Sequence, residues 1–132
     1  MDNKAPTHIL IIDEDPQMRR LFGGKLALEN FEIFYAKDGL EGREMARRFR
    51  PDLILLDLNI PKVNGIELAE RLKREQETKD IPIVFLTNSD LTLESQKAAK
   101  EMGVSDYIQK GIDLDEFVIR VKKIIGFSID EN

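Results

Sequence analysis

The chain has 132 residues, the size of one ordinary domain, with 42% hydrophobic and 34% charged residues, a globular profile. It has no cysteine and a single histidine, His8, which excludes disulfides and thiolate metal sites and argues against a histidine-built zinc site. A net charge of −5 offers no overall attraction to nucleic-acid phosphates, the N-terminus MDNKAPTH has no apolar core of a signal peptide, and no apolar run approaches bilayer length. A cytoplasmic protein without direct nucleic-acid contact or membrane insertion is expected.

Taken in chain order, five short apolar runs alternate with five amphipathic stretches. The run HILII (8–12) reads as the first strand. Asp15-Pro16 then reads as an N-cap and first helical position of a helix to about Glu29. Leu21, Lys25 and Leu28 lie on one side of it, with Met18, Phe22 and Leu26 adding apolar width. EIFYA (32–36) is the second strand, and Asp38 starts a helix that Pro51 closes. DLILLD (52–57) is the third strand; Asn64-Gly65 is a turn that opens a helix whose apolar set is Ile66, Leu68, Ala69 and Leu72. IPIVFLT (81–87) is the fourth strand, and Thr92 with Ser95 and Gln96 opens a helix that stops before Gly103. SDYIQ (105–109) is the fifth strand, and Asp113 opens a last helix with Phe117, Val118, Val121, Ile124 and Ile125 as its core stripe.

Several of these strands are continuously apolar, the mark of strands covered on both faces. The βαβαβαβαβα order therefore predicts an α/β, doubly wound, five-stranded parallel sheet with helices on both faces and strand order 2-1-3-4-5. Residues 1–7 are expected to be disordered or extended, 8–126 to form the domain, and 127–132 to be a frayed tail. In such sheets the site lies beyond the carboxyl ends of the strands. Those ends carry Asp13-Glu14-Asp15, Asp57, Thr87 and Lys110. Clustered carboxylates are hard to keep ionised together, and a hard divalent cation with oxygen ligands resolves the conflict. A carboxylate beside that ion can attack phosphorus, with a lysine and a hydroxyl to receive the phosphoryl oxygens.

These segments resemble the receiver domain of two-component response regulators. Ile9-Leu10-Ile11-Ile12-Asp13-Glu14-Asp15-Pro16 looks like the family's opening strand and acidic pair. Asp57, Pro61 and Gly65 fall on its D-x-x-x-P-x-x-x-G pattern. Pro82 to Thr87 matches the strand that ends in a hydroxyl, and Gly103 to Lys110 the strand with an aromatic residue three before the lysine. The match runs from about 8 to 126. It implies a flavodoxin-like receiver fold with Asp57 as phosphoacceptor. Glu14 and Asp57 would bind Mg²⁺, Asp13 would act through a metal-bound water, and the Asn59 backbone carbonyl would complete the set. Thr87 and Lys110 would sense the phosphoryl group, and Tyr107 would swing inward with Thr87 to remodel the fourth-helix, fifth-strand and fifth-helix surface. The partners implied are a sensor histidine kinase or phosphotransfer protein and an unspecified output protein.

The sequence departs from the family in three places. Lysine is usually followed by a cis-proline; here Gly111 follows, which predicts a trans Lys110–Gly111 bond with Gly111 supplying the tight turn. The usually small residue after the hydroxyl is Asn88, which implies altered autodephosphorylation. The acidic pair is Asp-Glu, so the metal-binding carboxylate is one methylene longer.

Other readings stand beside this one. Asp15 alone reads as an N-cap, Tyr107 as a half-buried edge tyrosine, and His8 as a residue that merely precedes a strand. Arg43, Arg47 and Arg50 read as a solvated helix face, and the phenylalanines as core and satellite packing. A pseudo-receiver would keep the fold without phosphorylation. A phosphatase of the haloacid dehalogenase type would want an aspartate where Asn59 stands, and a flavodoxin would want a hydroxyl- and glycine-rich phosphate loop where Asp13-Glu14-Asp15 would repel a phosphate. No DNA-binding or catalytic output domain stands in the sequence after residue 126, which fits a stand-alone receiver and equally a piece of a longer protein.

Overall fold

A computed structural model describes residues 6–60, 62–88 and 92–126. Most of the expected N-terminal segment, Pro61 and the expected tail 127–132 with Phe127 lie outside the described residues. The elements run β1 (His8–Ile12), α1 (Pro16–Ala27), β2 (Glu32–Ala36), α2 (Gly39–Phe49), β3 (Leu53–Asp57), α3 (Gly65–Arg74), β4 (Ile83–Thr87), α4 (Leu93–Met102), β5 (Asp106–Gln109) and α5 (Leu114–Ile125). The five strands form one parallel sheet in the order β2-β1-β3-β4-β5, as the alternation of elements predicts. Strand starts fall one or two residues later than the apolar runs suggest at β3, β4 and β5.

The central strands are buried on both faces because alternate residues serve two cores. Ile9, Ile11, Leu53, Leu55, Val84 and Leu86 pack against Phe22 and Leu26 of α1 and Phe117, Val118 and Val121 of α5. Leu10, Ile12, Ile54, Leu56, Ile83 and Phe85 pack against Ala46 of α2, Leu68 and Leu72 of α3, and Ala99 of α4. The Phe22 and Phe117 rings meet at 4.7 Å and bind α1 to α5. Each helix begins on a side-chain cap: Asp15, Asp38, Asn64, Thr92 and Asp113 each accept a backbone N–H of the first turn, and Thr92 with Ser95 forms a capping box.

Two expected apolar faces are corrected. In α1 the buried residues are Phe22, Gly23 and Leu26, while Leu21 is 42% and Leu28 78% exposed. The helix is rotated toward the sheet through Gly23, where an added methyl would collide with the Tyr35 hydroxyl and ring. In α3, Ile66 is 43% exposed because it walls a small apolar hollow with Leu58, Phe85, Met102 and Tyr107 rather than entering the core. Arg43 is not simply solvated either. Its guanidinium pairs with Glu75 at the end of α3 and braces α2 to α3.

Gly24 sits mid-helix with nothing within 4 Å of an added methyl. Gly24→Ala is expected to stabilise the protein by about 1 kcal/mol, since a helical glycine costs that much relative to alanine. Thermal denaturation should show a melting temperature higher by roughly 4 °C; an unchanged or lower value would contradict the open packing at this position.

Candidate functional site

The carboxyl edge of the sheet gathers the chemistry. Asp13 follows β1 directly and is anchored by its N–H, which donates to the Ala36 carbonyl (3.0 Å). Asp57 ends β3, Thr87 ends β4, and Lys110 follows β5. The Lys110 N–H donates to the Thr87 carbonyl (2.7 Å), so hydroxyl and ammonium residues are joined through the backbone. Gly65 lets α3 start close against the end of β3: an added methyl would lie 2.7 Å from Leu58 Cα and 2.9 Å from the Asp57 carbonyl, neither of which can yield.

The side chains of Asp13, Asp57 and Lys110 form a buried triad. Lys110 Nζ lies 2.8 Å from Asp13 Oδ2 and 3.4 Å from Asp57 Oδ2, and all three side chains are under one-tenth exposed. Asp13 Oδ1 accepts the Asp15 N–H (2.9 Å), and Asp57 Oδ1 accepts the Asn59 N–H (3.2 Å). Burial pushes the Asp57 carboxyl above the usual carboxylate range; the Asn59 N–H opposes that, Asp13 adds to it, and Lys110 opposes it. Two carboxylates thus share one ammonium in a largely dry setting.

Asp13 Oδ2 is buried and accepts no well-directed hydrogen bond, although Lys110 Nζ lies within ion-pair distance. The contact is Coulombic rather than directional, and a lone pair is left for a further positive partner. Among the described residues no three acidic or histidine side chains converge on one point. A pair of carboxylates completed by backbone oxygen and water is the usual donor set for Mg²⁺, so the residues present fit that ion.

Glu14 is exposed at the rim and does not join the buried triad. Asp15 is the cap of α1, accepting the Gln17 N–H (2.9 Å). Asn59 is exposed, with its amide on Asp57; Asn88, after Thr87, is exposed too. Thr87 is 2% exposed. Tyr107 is half-buried, one turn of pleat from the edge, with its ring edge-on to Phe85 at 6.1 Å. It lines both the apolar hollow and a cavity of about 310 Å³ between α4, β5 and α5 that also touches Lys100 and Arg120.

The Lys110–Gly111 peptide is trans, as the absence of proline predicts. Gly111 lies in the tight turn expected of it, though the turn does not require glycine. A turn is present, closed by the Ile112 N–H on the Gln109 carbonyl (3.1 Å), but Gly111 does not use the left-handed region, and a methyl there would meet nothing within 4 Å. One residue in contact with the site was not singled out from the sequence: Arg19 of α1, whose Nη1 donates to the Asp13 carbonyl (2.6 Å).

Known proteins place this architecture. Residues 9–122 match the response regulator receiver domain. The chain is 36% identical over 117 residues to the DNA-binding dual master transcriptional regulator RpaA of Synechocystis, covering 89% of this chain and 48% of that one, so it spans about half of that relative. It is 29% identical to the polar-differentiation response regulator DivK of Brucella anthropi, covering 92% of this chain and 98% of that one. A crystal structure described as a response regulator from Chloroflexus aurantiacus superposes with a TM-score of 0.85 at 29% identity, covering 92% of this chain and 99% of that one. Receiver domains of this kind are signalling switches that generally use Mg²⁺ at the phosphorylation site and generally answer to histidine kinases. Parallel sheet, buried carboxylate–ammonium edge and sequence similarity agree: the chain belongs to the response regulator receiver family, the phosphorylatable switch of two-component signalling.

Proposed function

We propose that Asp57 is the phosphoacceptor of this switch and that residues 8–126 are the unit that switches. The observation that carries the proposal is the buried pairing of Asp57 and Asp13 with the single ammonium of Lys110. An Asp57 oxygen attacks phosphorus of a phosphohistidine on a sensor kinase or phosphotransfer protein. The P–N bond breaks, its electron pair stays on the imidazole, which takes up a proton, and an acyl phosphate forms on Asp57. Asp13, Glu14 and Asp57, with the Asn59 backbone carbonyl, would hold Mg²⁺. When bound, that ion supplies neutralisation of phosphoryl and carboxylate charge. Glu14 at the exposed rim can turn toward a cation without a desolvation cost.

Lys110 then exchanges its contact with Asp57 Oδ2 for a phosphoryl oxygen, and Thr87 donates its hydroxyl to another. Thr87 and Tyr107 are the switch pair, because Thr87 is joined to Lys110 and Tyr107 walls the cavity beside α4. Of the ten residues in α4 only Ala99 is buried, so this helix is the one least costly to shift. The output partner reads the α4–β5–α5 surface. The reaction returns when water attacks phosphorus and releases inorganic phosphate, with Asn88 bordering the path. The setting proposed is the cytoplasm; among the described residues no helix is long and apolar enough to cross a membrane.

The test is an intact mass spectrum after incubation with acetyl phosphate and Mg²⁺. One added phosphoryl group is expected, dependent on Mg²⁺ and absent in Asp57→Asn. No adduct on the folded wild-type chain would leave a pseudo-receiver.

A further inference from the structure

Every polar group of Asp13 but one is tied down. Its N–H donates to the Ala36 carbonyl (3.0 Å), its Oδ1 accepts the Asp15 N–H (2.9 Å), and its carbonyl accepts Arg19 Nη1 (2.6 Å). The remaining atom, Oδ2, is buried without a well-directed hydrogen bond and lies 2.8 Å from Lys110 Nζ, which also stands within reach of Asp57. The three ties fix which way that oxygen points. The first two come from the sheet and from the loop itself. The third comes from a half-buried side chain on α1, six residues on, and is the only one that a substitution can remove without touching the backbone or the acidic residues.

The Asp13 carbonyl belongs to the peptide plane that links Asp13 to Glu14. Holding it sets the direction in which the Glu14 side chain leaves the chain as well as the rotation of Asp13. A guanidinium suits this task, since its planar fork is always charged and loses little entropy in forming such a bond. The charge itself works against a neighbouring cation, so an arginine here has to be explained by direction, not by field.

We propose that Arg19 is a positioning residue of the phosphoacceptor site: by clamping the Asp13 carbonyl it orients the Asp13–Glu14 pair for a divalent cation. The proposal rests on the phosphoacceptor reading above. Outer-shell partners that orient ligands typically change metal affinity by roughly 10- to 100-fold when removed. Arg19→Met keeps the apolar stem and removes the donor; Arg19→Lys keeps a donor and the charge.

The experiment is a Mg²⁺ titration of wild type, R19M and R19K, followed by amide chemical shifts and by isothermal calorimetry, with circular dichroism to confirm the fold. R19M is expected to bind Mg²⁺ about 10-fold more weakly. It should need correspondingly more Mg²⁺ for half-maximal phosphorylation by acetyl phosphate, while reaching a similar rate at saturation. R19K should recover most of the affinity. Unchanged or tighter binding in R19M would overturn the proposal, the latter showing that Arg19 acts on the site only as a charge. Equal weakening in R19K and R19M would overturn it also, because a donor at that place would then not matter. Failure of the wild-type chain to bind Mg²⁺ at all would sink the site reading and this inference together, which is a result distinct from failure of R19M alone.

Discussion

Asp57→Asn is expected to abolish the phosphoryl adduct and, at neutral pH without divalent cations, to raise the melting temperature. The two effects have one origin. Asp57 is buried beside Asp13, and its carboxyl is pushed above the usual range chiefly by burial. A folded-state pKa above the unfolded one means that the native protein holds the proton more tightly. The stability this contributes is complete below the unfolded value, near 3.9, and is lost as the pH rises through the folded value. By pH 7 the wild type has given up stability from this source, while an amide at position 57 loses nothing. The difference in melting temperature between mutant and wild type should be clearly positive at pH 7 and should close as the pH approaches about 4. A scan of both proteins between these limits decides the matter. A mutant no more stable than wild type at pH 7 would show that Lys110 alone compensates both carboxylates.

The converse substitution should be costly. Lys110→Met removes the ammonium that lies within 3.4 Å of both Asp57 and Asp13, the cation that the two buried carboxylates share. Breaking such a buried arrangement from one side typically costs about 3–5 kcal/mol. Urea denaturation of K110M at pH 7 should show a loss near the lower end, because Asp57 can take up a proton in place of the missing charge. Two recoveries are expected. Lowering the pH should narrow the deficit, since neutral carboxyls need no cation. Saturating Mg²⁺ should narrow it at constant pH, since an ion bound only to the native state stabilises by mass action. A mutant of wild-type stability in the absence of Mg²⁺ would contradict the buried triad.

The parts of this fold that could be read from sequence are those where local pattern and burial say the same thing. Runs such as ILII and LILLD are apolar at successive positions, and only a strand covered on both faces asks for that. The caps Asp15, Asp38, Thr92 and Asp113 are local chemistry and fall where the structure has them. The buried side of α1 is only partly legible because it includes Gly23, and a glycine that makes room for Tyr35 carries no hydropathy signal. The Arg43–Glu75 brace and the Arg19 contact with Asp13 join residues by the meeting of separate elements, or by a side chain folding back on a loop. Nothing in residue spacing announces either. The turn at Gly111 is present where the sequence suggests it, but the backbone there has a shape that other residues share. The carboxyl-edge residues were legible as a set because topology alone brings Asp13, Asp57, Thr87 and Lys110 together. How Glu14 stands relative to them was not.

The five capped helix starts have a further consequence. Each helix begins where a strand has just ended, so all five amino termini surround the same edge of the sheet. A helix presents roughly half a positive elementary charge at that end. The chain carries a formal charge of −5, which would repel an anionic phosphodonor, yet the donor approaches through a local field to which the backbone contributes with the opposite sign. Encounter with such a donor should therefore slow less at low ionic strength than the net charge alone would dictate.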